Sequence, residues 1–188
     1  DRHFVDSLAP LRVAGLFPQG ARVIDVGSGA GFPGVPLAIA RPDLSVTLLD
    51  ATRKRTRFLE SAVDALALSN VRVLTARAED AARLPGERAG YDLAVARAVA
   101  PMATLLEYLL PFVRVSGRAL CYKGAAAVEE SAAAARAART LGGRLLEPIA
   151  VAVPGRDWAR FIVVCEKTAE TLPQYPRKAG TPKARPLG

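Results

Sequence analysis

Apolar and polar positions follow two rhythms along the chain. Short apolar runs at 23–26, 46–49, 71–74, 92–96 and 118–122 have the length of buried strands. Between them lie segments of helical period: 35–40, ended by Pro42; a helix opening after Asp50 whose apolar face is Phe58, Leu59, Ala62, Val63 and Leu66; 102–113; and an Ala-rich stretch, 125–141. Strands alternating with helices predict an α/β fold with a doubly wound, mostly parallel sheet. After Gly142 and Gly143 two strands, 145–153 and 160–165, follow with no helix between them and predict a closing antiparallel hairpin, although the connection Pro154-Gly155-Arg156-Asp157 is longer than a tight turn. Phe4, Leu8 and Leu11 mark an amphipathic helix that starts without a Met, so a leading segment is expected to be missing. The domain plan is a helical extension over 1–20, a Rossmann-like domain over 21–170 and a tail over 171–188.

Composition narrows the class. A chain of 188 residues favours one domain, and 51% hydrophobic with 23% charged residues excludes wholesale disorder and a collagen-like repeat. Cys121 and Cys165 are too few for a disulfide scaffold or a Cys-rich zinc site, and both fall in strands, so they read as packing residues and no metal is expected. No apolar stretch of membrane-spanning length and no basic-then-apolar leader occurs, so a cytoplasmic protein without a membrane partner is expected.

The net charge of +8 asks for an anionic partner. It is concentrated. The tail carries Arg177, Lys178, Lys183 and Arg185 against no acidic residue, together with Pro173, Pro176, Pro182 and Pro186, which predicts an extended basic arm or a solvated end. Arg53, Lys54, Arg55 and Arg57 open the helix after Asp50, where cations oppose the helix dipole by roughly 0.3–1 kcal/mol each. Either they lean into solvent at little cost or they serve an anionic ligand.

The chemistry begins at Asp25-Val-Gly27-Ser-Gly29-Ala-Gly31-Phe32-Pro-Gly34, a glycine-rich loop at the end of the first strand, where backbone can approach a ligand closely. Residues 29–34 also satisfy Gly-x-Gly-x-x-Gly, which leaves a dinucleotide open. Asp25 shifts the balance, because Asp-x-Gly-x-Gly-x-Gly resembles the first motif of methyltransferases that use S-adenosylmethionine. An acid there can organise the loop or meet the ligand's ammonium. Asp50, ending the second strand, can accept hydrogen bonds from ribose hydroxyls. Ala78 and Glu79 follow the third strand, where such enzymes meet adenine, and Arg97 ends the fourth. The Asn/Asp-Pro-Pro-Tyr motif of enzymes that methylate base amino groups is absent.

Taken in order, Arg2-His3-Phe4-Val5-Asp6-Ser7-Leu8, the 25–34 loop, Lys54-Arg55-Thr56-Arg57-Phe58-Leu59, Ala78-Glu79, Ala96-Arg97-Ala98, Tyr122-Lys123-Gly124 and the tail from Tyr175 to Leu187 resemble the bacterial family that methylates guanine N7 in small-subunit (16S) ribosomal RNA. The resemblance spans nearly the whole chain; Ala96 departs from it where the family carries Ser. It implies a class I S-adenosylmethionine-dependent methyltransferase, acting as a monomer on 16S ribosomal RNA or the small subunit and not on DNA. It further implies that Gly27, Phe32, Asp50, Ala51, Thr52, Ala78, Glu79 and Arg97 line the cofactor site, to which the loop adds Asp25 and Gly29. Arg97 and Lys123 become the candidate catalytic residues, Lys123 for a phosphate or the guanine O6. Arg53, Lys54, Arg55, Arg177, Lys178, Lys183 and Arg185 become the RNA contacts, and His3 a fold or RNA residue. Two rivals stay open: an NAD-dependent oxidoreductase, and a non-catalytic RNA-binding module.

Overall fold

A computed structural model describes residues 2–152 and 160–188. One eight-stranded sheet runs through the chain. β1 (Arg22–Val26), β2 (Ser45–Asp50), β3 (Val71–Thr75), β4 (Tyr91–Arg97) and β5 (Val113–Lys123) are parallel; β6 (Gly143–Leu145) and β7 (Ile149–Ala150) both pair antiparallel with β8 (Phe161–Lys167). The path is β3-β2-β1-β4-β5-β8-β6, with β7 beside β8. Strand order reverses between β1 and β4, the place where open α/β sheets form a ligand crevice at the carboxyl ends.

Helices cover both faces because the central strands are apolar on both sides: Val23 to Val26 of β1 and Leu93 to Ala96 of β4 are all buried. α1 (Arg2–Leu8) packs on α2 (Gly34–Ala40), which with α3 (Arg53–Ala65) lies against the core of Val23, Leu37, Leu48, Leu59, Val95 and Leu120. α4 (Ala78–Ala81), α5 (Met102–Leu109), α6 (Ala127–Ala133) and α7 (Ala135–Thr140) lie against the core of Ile24, Ala94, Leu105, Phe112, Cys121 and Val163. Both cysteines are buried, as packing residues should be, and burial pushes each thiol up to about 12.

Four expectations need correction. The helix expected over 102–113 stops at Leu109, because Pro111 cannot continue it, and β5 starts at Val113, five residues early. A Cβ on Gly117 would stand 2.6 Å from the Asp92 carbonyl oxygen, so the long strand needs glycine beside β4. The Ala-rich helix is broken into α6 and α7 at Ala134, whose N–H is shared between the carbonyls of Glu130 and Ser131. The strand expected over 145–153 is interrupted around Pro148; Val153 and the connection Pro154 to Asp157 lie outside the described residues.

The tail is the largest correction. It is not a free arm: it is docked along the domain, although most of its side chains stay exposed. Arg88 donates to the carbonyls of Thr171, Leu172 and Tyr175, and Arg83 to that of Pro176. Arg177 grips Glu107, and residues Thr181–Ala184 form a short helix, α8, with Pro182 buried in its first turn. Proline is tolerated there because first-turn N–H groups have no intrahelical partner.

Candidate active site at the carboxyl edge

The glycine loop is held from below. Asp25 is fully buried, and its Oδ2 accepts the Gly34 N–H at 2.9 Å. Burial raises its carboxyl to about 7, against the Gly34 bond, which lowers it. Its Oδ1 has no partner among the described residues. A Cβ on Gly34 would come within 2.3 Å of the Leu48 side chain and 2.8 Å of Asp25 Oδ2, so this glycine lets α2 start directly on the sheet. Asp25 lines neither cavity described below, which favours its loop-organising role over contact with an ammonium.

Asp50 holds the loop from the side. Its Oδ2 accepts the Gly29 N–H at 3.1 Å and lies 3.5 Å from Arg55, while Oδ1 accepts the Thr52 N–H at 2.8 Å. Each carboxylate oxygen has two lone-pair sites, so acceptor capacity remains for a ligand.

Two cavities open along this edge. The smaller, about 260 Å³, is walled by Gly27 after β1, Asp50 to Thr52 after β2, Ala78 and Glu79 after β3, and Val99 after β4. It therefore gathers most of the cofactor residues expected from sequence. It also contains Arg77, Tyr108, Gly180 and Lys183, which sequence reasoning did not place there. Gly27, at φ +75°, would push a Cβ to 2.9 Å from Val99, so glycine keeps the cleft floor open. A cleft with a buried carboxylate at one strand end, glycine backbone beneath it and a phenol on its wall fits a nucleoside with a polar tail, as S-adenosylmethionine is.

The larger cavity, about 410 Å³, lies between the ends of β4 and β5, the start of β8 and α1. His3, Asp6, Arg97, Tyr122, Lys123 and Arg160 supply its polar groups. Arg97 and Ala98 line this cavity and Val99 the smaller one, so consecutive residues at the end of β4 line both. Phe32 stands beside Arg97: the guanidinium carbon is 5.3 Å from the ring centre, and the rings of His3 and Phe4 approach it at 5.5 and 4.9 Å. Arg97 also donates to the His3 carbonyl at 3.2 Å. Partial burial lowers its pKa, opposed by the charges of Asp6 and Asp25. Its hydrogen bonds run to His3 of α1 and not to an acid of the glycine loop.

Three predicted side chains are engaged differently than expected. Lys123 Nζ donates to Glu130 Oε2 at 2.6 Å and to the Ala100 carbonyl at 3.1 Å, so its charge is already paired and one N–H donor is left for a phosphate or base oxygen. Glu79 is buried with its carboxylate on the Gly180 N–H at 2.9 Å, leaving its backbone for the cleft. Arg177 is on Glu107. By contrast Arg53, Lys54, Arg55 and Arg57, with Lys178, Lys183 and Arg185, are exposed. Arg55 and Lys183 lie on the walls of the same cleft, so the two basic runs meet at its mouth.

Comparison with known proteins gives a consistent picture. The family model described as GidB, rRNA small subunit methyltransferase G, matches residues 1–153. Proteins named Ribosomal RNA small subunit methyltransferase G are 45% identical in Alkaliphilus oremlandii (99% of this chain, 77% of that protein) and 47% identical in Roseiflexus sp. (99% and 78%). One from Gloeobacter violaceus is 45% identical over 100% of this chain and 74% of its own. Among solved structures, an S-adenosylmethionine-dependent methyltransferase from Aquifex aeolicus superposes with TM-score 0.65 at 17% identity, covering 87% of this chain and 92% of that one. A putative methyltransferase bound to the Haloferax volcanii Trm112 activator gives TM-score 0.66, also at 17% identity, over 90% and 92%.

Proposed function

The chain belongs to the rRNA small subunit methyltransferase G family, and on that premise we propose that it places a guanine of 16S ribosomal RNA in the larger cavity and methylates its N7. It is an S-adenosylmethionine-dependent rRNA methyltransferase. The observation that carries the assignment of the two cavities is that one short segment lines both, Arg97 and Ala98 the pocket suited to a base and Val99 the cleft suited to the cofactor.

Bound S-adenosylmethionine supplies an electrophilic methyl group on its sulfonium. Guanine N7 is an unprotonated lone pair at neutral pH, so the protein needs neither a general base nor a covalent intermediate. Its task is placement, with N7 about 3–3.5 Å from the methyl and in line with the leaving sulfur. Arg97, held against the Phe32 ring beside His3 and Phe4, is placed to fix the edge of an unstacked base in the larger cavity. Both cysteines, with thiols raised by burial, are silent. Because the deep groove of A-form RNA hides N7 from side chains, the target guanine lies in an irregular or single-stranded segment.

Arg53, Lys54, Arg55, Lys178 and Arg185 are assigned to the RNA phosphates around the cleft mouth. The compartment assigned to it is the cytoplasm, where ribosomes are assembled. Arg97→Ala tests the reading: single-turnover methyl transfer should fall at least about tenfold, the effect of losing about 1.4 kcal/mol of transition-state stabilisation, while affinity for S-adenosylhomocysteine changes less. A rate near wild type would remove Arg97 from the site.

A further inference from the structure

The tail that sequence assigned to RNA is built into the small cleft. Five groups hold it there, all from the stretch between residues 79 and 107. Arg83 and Arg88 bind its first carbonyls, Glu107 takes Arg177, the Thr104 hydroxyl donates to the Pro182 carbonyl at 3.0 Å, and Glu79 takes the Gly180 N–H. Glu79 and Thr104 are themselves buried, so these are fixed anchors and not chance surface contacts. Gly180 turns the chain at φ +84°, where a Cβ would meet nothing but the backbone angle itself disfavours any other residue. That turn starts α8, which sets Lys183 on the cleft wall with Tyr108 and Arg77.

We propose that residues 171–188 form a strap that completes the S-adenosylmethionine cleft, with Lys183 a contact for the adenine-bearing end of the cofactor and Glu79 and Thr104 positioning residues that hold the strap in place. The inference rests on the cofactor assignment above. Asp50 at the end of β2 marks the ribose side, and the residues after β3 mark the base side. Lys183 lies with the latter, and an ammonium there donates to ring nitrogens that are acceptors only. A strap of this kind also explains why Glu79 is buried: its carboxylate serves the tail.

Linkage makes the proposal testable without turnover. If the cofactor binds the docked strap, it must protect the strap by the same factor by which docking improves binding. Trypsin cleavage after Lys178 should slow several-fold when S-adenosylhomocysteine saturates the full-length protein. Thr104→Val removes the anchor on Pro182 without altering any residue of the cleft. It should raise the Kd for S-adenosylhomocysteine by up to about fivefold, the effect of one lost hydrogen bond, and speed cleavage after Lys178. Lys183→Gln, an exposed change, should raise the Kd by about the same factor while cleavage after Lys178 in the free protein stays as in wild type. If wild type binds S-adenosylhomocysteine but neither substitution changes the Kd and the ligand leaves cleavage unchanged, the strap proposal fails alone. If wild type does not bind S-adenosylhomocysteine, the cofactor assignment beneath it fails as well.

Discussion

Glu107, fully buried in α5, holds Arg177 through both carboxylate oxygens: Nη2 lies 2.6 Å from Oε2, and Nε and the backbone N–H lie 2.9 and 2.8 Å from Oε1. The pair pins the middle of the tail to the centre of one helical layer. Removing one partner strands the other charge, which costs about 3–5 kcal/mol when burial is complete and less here because the arginine is partly exposed. Arg177→Met should therefore lower unfolding free energy by about 2–3 kcal/mol in urea. A midpoint and slope matching wild type would mean that the tail adds nothing to the fold.

With Arg177 committed to Glu107 and Lys183 to the cleft, Lys178 and Arg185 are the tail cations left for phosphates. Replacing both by Gln should flatten the dependence of log RNA affinity on log salt by about 1.4, at roughly 0.7 per single-strand phosphate. Filter binding across a salt series checks it. An unchanged slope would transfer the RNA contact to Arg53, Lys54 and Arg55.

The parallel sheet and the carboxyl-edge site were legible in the sequence because local signals set them: apolar runs of strand length, the Asp25 to Gly34 loop, and acids such as Asp50 at strand ends. Asp50 also meets the loop, through the Gly29 N–H, a contact the sequence did not indicate. The tail was misread for a physical reason. Prolines and cations describe what a segment cannot do alone, whereas its conformation is decided by partners far away in the chain: Arg83, Arg88, Thr104 and Glu107. No local pattern relates Glu79 to Gly180, or Lys123 to Glu130. The break at Ala134 was hidden in the same way, since alanine has no propensity that marks a bend.

Asp50 accepts two loop N–H groups and still has lone pairs to offer. Asp50→Ala should weaken S-adenosylhomocysteine binding about 10- to 150-fold, corresponding to roughly 1.5–3 kcal/mol for hydrogen bonds to a charged group. Calorimetry that returned the wild-type Kd would remove Asp50 from the ligand.

Asp25 should leave a mark on stability against pH. Its carboxyl titrates at about 7 in the folded protein and near 3.8 when unfolded, so between these values the folded state holds the extra proton. Stability from this group is therefore present below pH 4 and is lost as pH rises towards 7, by at most about 1.4 kcal/mol per pH unit. Asp25→Asn cannot ionise. The difference in unfolding free energy between variant and wild type should shift in the variant's favour from pH 4 to 7. A pH-independent difference would show that Asp25 is ionised throughout.

Methyl transfer from labelled S-adenosylmethionine to small-subunit RNA that lacks the modification tests the central claim most directly, with the modified base located by borohydride and aniline cleavage, which cuts at N7-methylguanine. The account predicts one labelled guanine in an irregular or single-stranded segment, methylated at N7 and dependent on Arg97. Label on an exocyclic amine, on a ribose or on a base other than guanine would contradict the placement chemistry, and no transfer to any form of the RNA would contradict the enzyme.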